Sequence, residues 1–407
     1  MPSAARIMQR CDSLARHSES AGGLTRVFLS PEYRAASEEV LGWMREAGMQ
    51  ASLDAIGNVA GRYEGTRAGL PCLMLGSHLD TVRDAGRYDG MLGVITAIEC
   101  VAALAKKGER LPFAIEVLGF GDEEGVRFGT SMLGSRAVSG TLDPATLQMR
   151  DANRVSIGEA LREIGLGEGI EAVARKKGQV LAYAELHIEQ GPVLEAEGLP
   201  VGVVSAINGF SRLKATITGT AGHAGTVPMK LRRDALAAAA ECVLAIERIA
   251  RSDAELVGTV GRLEVKPGAI NVIPGEVQFT IDFRAPRDPL RERAVASAIA
   301  AVERIAADRQ LHPKVESIQQ LGVTACAPWL IEQLERAVAA EGMRVRRLPS
   351  GAGHDGQAIQ AIADVAMLFV RCKDGVSHNP AESITEADAA VGARTLLRFI
   401  ERFEPRR

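Results

Sequence analysis

Short apolar runs that end in a histidine or an acid recur along this chain, and they constrain its fold more than any other feature. Residues 72–75 lead into GSHLDTVRDAGRYDG at 76–90, residues 113–120 lead to Asp122-Glu123-Glu124, and residues 180–186 end at His187. Apolar runs of this length, bounded by turn residues, read as buried strands. Strand, then imidazole and carboxylates, then the Gly-Met-Leu-Gly start of a helix puts a site at the carboxyl edge of a parallel sheet. Open α/β folds bind ligands at that edge. The helix expected there, Met91–Lys107, is apolar on most faces and so packs between other elements.

A chain of 407 residues exceeds the size at which one core usually stops growing, so two domains are expected. Residues 211–218, 258–265, 276–284 and 313–318 read as strands, with helices at 231–250 and 289–307 between them. That order, β-α-β-β-α-β, is the ferredoxin-like split arrangement, here an α+β domain inserted into the first. Asp234 falls in the first turn of its helix, where a negative charge favours the dipole. The α/β texture returns after Pro328, with a helix at 329–341, a strand at 343–348, the loop SGAGHDG, a strand at 365–370, a loop containing His378 and a closing helix.

The formal net charge of −3 and the lack of a long basic run argue against a nucleic-acid or membrane-surface protein. Six cysteines without a CxxC read as reduced core residues, and no apolar run reaches the about 18 residues of a membrane span. The N-terminal segment lacks the apolar core of a signal peptide, so a cytoplasmic protein is expected.

Five of the seven histidines, His78, His187, His223, His354 and His378, sit in Gly-rich or acidic motifs. Any one of them has an ordinary structural explanation; together with strand-end acids they point to a metal centre. A dinuclear site needs a bridging carboxylate, two or three imidazoles, a further carboxylate, and open positions for water and substrate. His78, Asp89, Glu124, His187 and His378 supply that set. Asp80, two residues from His78, either fixes the tautomer of an imidazole or caps a turn. Glu123 and Glu124 are neighbours at a strand end and point in different directions. One can therefore bind metal while the other exchanges a proton with water, although an acidic surface loop has the same appearance.

The strings GSHLDTV, YDG, DEEGVRFGTSMLGS, AELHIEQGPVLE, GTAGHAGTVPM, DFR, SGAGHD and GVSHNPAES resemble the hydantoinase/carbamoylase group of dinuclear metal amidohydrolases, in order and over nearly the whole chain. These belong to the clan of zinc aminoacylases, carboxypeptidases and peptidases. The resemblance implies a zinc-peptidase-like catalytic domain at 1–208 and 327–407, with a mixed sheet flanked by helices. It makes 209–326 a lid and dimerisation domain. It implies two divalent ions per subunit (zinc, manganese, cobalt or nickel). His78, Asp89 and His187 would bind one, and Asp89, Glu124 and His378 the other, with Glu123 as catalytic base and Asp80 beside it. Peptidase branches generally carry a carboxylate at the position of His187; the imidazole, with Gln190, points to the carbamoylases. Gln190, His223, Asn271, Arg284, Gly353 and His354 would line the substrate site. Of these, Arg284 suits a carboxylate, and His223, supplied by the partner subunit, suits an oxyanion.

The expected reaction is hydrolysis of the ureido C–N bond of N-carbamoyl-L-amino acids by a homodimer. Allantoate amidohydrolase and β-ureidopropionase are the alternatives within the group. A catalytically inactive relative acting as a binding protein is the alternative outside it.

Overall fold

In a computed structural model, which describes residues 1–406, the chain divides into two compact units. The first comprises Met1–Ser205, Cys326–Leu348 and the chain from Ala352 on; the second comprises Ala206–Ala325 and Pro349–Gly351.

The first unit is built on a mixed sheet. Its strands run in the order Gln50–Leu53, Val59–Tyr63, Ala114–Phe120, Cys72–His78, Val180–Ile188, Val365–Val370 and Val201–Ile207. The four strands from Ala114–Phe120 to Val365–Val370 are mutually parallel. Apart from Leu181, all their residues are buried, as continuous apolar runs in a sheet covered on both faces must be. Met91–Lys107 packs on Cys72–His78 and Val180–Ile188, while Pro328–Ala340 and Glu386–Glu401 pack on Val365–Val370.

Local signals delimit these helices. Ser30 accepts a hydrogen bond from the Tyr33 N–H ahead of Pro31–Glu46, and Thr385 does the same for Asp388 ahead of Glu386–Glu401. Gly108 ends Met91–Lys107 in the left-handed conformation, with Lys106 and Lys107 in the last turn. Among the described residues, no helix is long and apolar enough to cross a membrane.

The second unit has an antiparallel sheet in the order Leu263–Lys266, Glu276–Ala285, Gly209–Thr218 and His312–Leu321, with Val257–Thr259 also paired to Glu276–Ala285. Helices Ala235–Ala250 and Asp288–Asp308 share a core with alternate residues of the central strands, including Leu213, Ile217, Phe279, Ile281 and Phe283. This is the β-α-β-β-α-β arrangement. The residues between, such as Arg212, Thr280, Asp282 and Arg284, lie on the other face of the sheet.

Some elements depart from the sequence reading. The helix expected from residue 231 begins at Ala235. Asp234 is its N-cap rather than a first-turn residue, accepting hydrogen bonds from the N–H groups of Leu236 and Ala237. The strand expected at 258–265 is interrupted between Thr259 and Leu263. The strand expected at 343–348 is instead Arg347–Ser350, because the Met343 N–H still bonds the Val338 carbonyl and completes the preceding helix. Val201–Ile207 is a further strand that the sequence reading did not name, although its apolar run VGVVSAI carries a strand signal. Pro349–Gly351 joins the second unit because the Ser350 carbonyl accepts the Asn208 N–H.

Candidate active site

The carboxyl ends of three adjacent parallel strands place the chemistry. His78 ends Cys72–His78 opposite Phe120, Asp122-Glu123-Glu124 follows Ala114–Phe120, and His187 lies one residue from the end of Val180–Ile188. Asp89 comes from the loop that precedes Met91–Lys107. Gly90 makes that approach possible: its φ is 73°, and a Cβ there would fall 2.5 Å from the His78 ring.

Three imidazoles converge on Asp89. His78 Nε2 lies 3.6 Å and His187 Nε2 3.1 Å from its Oδ1, and His378 Nε2 lies 3.2 Å from its Oδ2. His378 Nε2 is also 3.5 Å from Glu124 Oε1. Four groups with metal-ligand spacing result, His78–Asp89–His187, Asp89–Glu124–His378, His78–Glu123–Glu124 and Glu185–His187–His354, and the first two share Asp89.

The donor chemistry of this cluster fits a cation. His78 Nδ1 is 2.9 Å from the Asp80 carbonyl and His187 Nδ1 is 2.9 Å from the Ile188 carbonyl. A carbonyl only accepts, so in each ring Nδ1 carries the hydrogen and the neutral imidazole turns its Nε2 lone pair inward. The Gly90 N–H directed at His187 Nε2, 3.3 Å away, agrees with that tautomer. Asp89 Oδ1, buried between the two rings, receives no hydrogen bond. Lone pairs facing a carboxylate without an intervening hydrogen need positive charge among them, either protons on the rings or metal ions.

The electrostatics express the same need. Burial opposes it, but Asp89 and Glu123 hold the His78 imidazole well above its ordinary pKa, and Asp89 raises His187 against the same opposition. His378 is raised chiefly by Asp89. Against burial, His187, His378 and His78 keep the Asp89 carboxyl well below the usual range.

The position of Asp80 resolves its two possible roles. Its backbone carbonyl, not its carboxylate, fixes His78; the carboxylate oxygen is 4.0 Å from Nδ1. The side chain instead accepts the Glu123 N–H at 3.1 Å and the Glu124 N–H at 3.2 Å. Asp80 thus anchors the turn that presents both glutamates. Burial, opposed by His78 and reinforced by Glu124, Asp355 and Asp80, holds the Glu123 carboxyl well above its usual range. Burial and Asp89 push Glu124 to about 7.

Gln190, with a left-handed φ of 57°, donates to Asp89 Oδ2 at 3.1 Å and approaches His378 Nε2 at 3.4 Å. His354 is buried edge-on against His187, with ring centres 4.5 Å apart. Burial and the neighbouring His187 hold its pKa well below the ordinary value, so this ring stays neutral. Gly353 sits beside Glu123: a Cβ there would lie 3.8 Å from its Oε1.

Glu382 is a positioning residue that the sequence did not single out. Its Oε1 accepts the N–H groups of Tyr88 (2.9 Å) and Asp89 (3.1 Å), and its Oε2 accepts the Ser377 hydroxyl at 2.9 Å. One buried carboxylate therefore ties the Asp89 loop to the loop of His378. Gly86 leaves the space for it, since a Cβ there would come within 2.2 Å of the Glu382 Cβ. The available signal was an acid four residues beyond His378 in GVSHNPAES. Buried Asp355 and Glu185, near Glu123 and His187, also went unread.

In the second unit, His223 and Asn271 come together at a two-stranded ribbon, Gly222–His223 with Val272–Ile273. There Ala224 N–H bonds the Asn271 carbonyl and His223 Nδ1 accepts the Gly225 N–H. Both residues are exposed. Arg284 lies apart from them, on Glu276–Ala285.

A pH dependence follows for the metal-free protein. His78, His187 and His378 bind protons more tightly folded than unfolded. Their stabilisation is thus complete below the unfolded value of about 6.5 and is lost as pH rises through the raised folded values. Glu123 and Glu124, also raised, act in the same sense. His354, lowered, acts in the opposite sense only below about pH 6.5, and Asp89 is ionised in both states above it. Metal ions replace the protons, so they stabilise more as pH rises. Thermal melts with and without a chelator should show a melting-temperature gap that widens from pH 6.5 to 8; a constant or narrowing gap would contradict the assignment.

The family described as "Peptidase family M20/M25/M40" matches residues 74–402. An N-carbamoyl-L-amino acid amidohydrolase of Geobacillus stearothermophilus is 44% identical over 397 residues, covering 97% of each chain. A probable allantoate deiminase of Oryza sativa subsp. japonica is 42% identical over 430 residues, covering 96% of this chain and 87% of its own. A solved hydantoinase/carbamoylase family amidase from Burkholderia multivorans superposes with a TM-score of 0.94 at 35% identity, covering 100% of this chain and 99% of its own.

Proposed function

This chain belongs to the M20/M25/M40 peptidase family and to its hydantoinase/carbamoylase amidases, and we propose that it hydrolyses the ureido C–N bond of N-carbamoyl-L-amino acids. What carries the reading is the imidazole of His187, sharing Asp89 with His78 and with Gln190 beside it, where peptidase branches generally carry a carboxylate. In this reading two divalent ions are held, one by His78, Asp89 and His187 and one by Asp89, Glu124 and His378. Such ions polarise a bound carbonyl and make water acidic enough to attack at neutral pH.

The chain's own groups then have separate tasks. Glu123 takes the proton of the attacking water and returns it to the amino-acid nitrogen as the C–N bond breaks. Asp80 holds the Glu123–Glu124 turn in place. His223 stabilises the oxyanion, Arg284 with Asn271 holds the α-carboxylate, and Gln190, Gly353 and His354 complete the lining. The carbamate released decays to ammonia and carbon dioxide.

The reading includes a homodimer formed through the second unit, with His223 acting in the partner's site. Met229, Leu231 and Ile270, exposed large apolar residues near the His223 ribbon in sequence, support it. Six free, buried cysteines fit a reducing compartment such as the cytoplasm.

Allantoate is the second reading, favoured by the 42% identity to the rice protein. It too carries ureido groups and a carboxylate on one carbon. Metal-replete protein should release ammonia from N-carbamoyl-L-amino acids with a kcat/KM at least tenfold above those for allantoate and N-carbamoyl-β-alanine. The reverse order would assign it to allantoate or to the β-ureido acid, and no release from any of the three would defeat the amidohydrolase reading.

A further inference from the structure

Arg284 does not stand alone on its sheet face. Gly209–Thr218 and Glu276–Ala285 pair antiparallel with Arg212 opposite Asp282 and Phe210 opposite Arg284. The Asp282 carboxylate is shared by both arginines. Its Oδ1 accepts Arg284 Nε at 3.1 Å, and its Oδ2 accepts Arg284 Nη2 at 3.2 Å and Arg212 Nε at 3.1 Å. Arg284 Nη1 donates to the Gly351 carbonyl at 2.8 Å, and Arg212 Nη1 to Gln319 Oε1 at 3.0 Å. Both guanidinium groups lie over the Phe210 ring, at 4.6 Å for Arg212 and 6.0 Å for Arg284. A pocket of about 570 Å³ opens beside them, lined by both arginines, Asp282, Thr280 and Ile318.

The arrangement has two consequences. A guanidinium has five N–H groups; Asp282 takes two of Arg284's and Gly351 a third, which leaves one on each terminal nitrogen. Arg284 is thus held in a fixed plane yet keeps a pair of donors for another carboxylate. Charge is the second consequence. Arg284 with Asp282 alone would be neutral, and its attraction for an anion weak. Arg212 makes the trio's net charge +1, which one carboxylate neutralises. The side chains are 43% (Arg212), 27% (Asp282) and 32% (Arg284) exposed, so the surplus charge stays hydrated and open to a ligand.

We propose that Arg212 and Asp282 are specificity-determining positioning residues for the substrate carboxylate at Arg284, Asp282 setting its plane and Arg212 restoring the positive charge that Asp282 cancels. The proposal rests on the reading that Arg284 meets the α-carboxylate. It makes the site selective for ureido acids over uncharged ureides through a residue that need not touch the substrate. An ion pair this exposed contributes little to stability, so Arg212 can be replaced without unfolding the sheet.

The test compares wild type and Arg212→Gln, as metal-loaded full-length proteins, on an N-carbamoyl-L-amino acid and on its α-carboxamide. In Arg212→Gln, KM for the acid should rise about five- to tenfold, as for loss of one nearby, partly screened charge, with kcat unchanged. The amide's kinetics should not move, Arg212→Lys should recover most of the loss, and the difference should shrink in high salt. An unchanged KM, or an equal rise for acid and amide, would overturn the proposal. Calorimetric binding of both compounds to metal-free protein gives the same comparison without turnover. A wild type that binds the acid more tightly than the amide but releases no ammonia would count against the amidohydrolase reading alone. Equal acid affinity in wild type and Arg212→Gln would count against Arg212 alone.

Discussion

Glu123→Gln should keep the metal content of the wild type and lower kcat about a hundred- to ten-thousandfold, the range that loss of a positioned general acid–base spans. Glutamine preserves shape and leaves the residue-123 N–H able to bond Asp80, so the turn and the Glu124 side chain, the proposed ligand, remain in place. What disappears is a carboxylate that can take a proton from water and deliver it to a leaving nitrogen. Kinetics must be paired with metal analysis, because a variant that also lost metal would say nothing about proton transfer. Activity within tenfold of wild type, at full metal content, would remove Glu123 from its role.

The sequence made the residues of this site legible where an apolar strand stops at a polar one. His78, Glu123, Glu124 and His187 stand out for that reason, and their convergence follows once the strands are parallel neighbours. Partners that act through the backbone were not legible. Whether Asp80 orients an imidazole or holds a turn depends on which N–H groups face its carboxylate, and a string of letters carries no direction. Glu382 was hidden in the same way, since it works by accepting the Asp89 N–H from 293 residues further along the chain. The alternating strands and Ala-rich helices of the second unit were readable from periodicity. The start of Ala235–Ala250 was not, because Asp234 suits a cap and a first turn equally well. Pro349–Gly351 joins that unit through backbone hydrogen bonding at Asn208, which has no sequence signature.

Asp89→Ala carries the other large effect. Asp89 is common to the His78–His187 and Glu124–His378 groups, so under the proposed assignment its loss would remove a ligand from both. Outer partners of metal ligands are worth about 10–100-fold in affinity, and a shared ligand should exceed that, with turnover falling at least as far. The fold should survive without metal. Of the two oxygens removed, Oδ1 receives no hydrogen bond and Oδ2 accepts Gln190 Nε2 at 3.1 Å and the Ser377 hydroxyl at 3.5 Å, while Glu382 still accepts backbone N–H groups at residues 88 and 89. Circular dichroism and melting of the metal-free variant separate this from unfolding. Near-wild-type metal affinity in a folded Asp89→Ala protein would mean that the two groups do not share this carboxylate as a ligand.

The central claim, that paired ions gathered around Asp89 drive hydrolysis of a ureido acid, is tested most directly by titrating metal-free protein with manganese or zinc while following ammonia release from an N-carbamoyl-L-amino acid. Full activity should appear only as the second ion per chain binds, and Asp89→Ala should stay inactive throughout. Hydrolysis by the metal-free protein, or full activity at one ion per chain, would contradict the account.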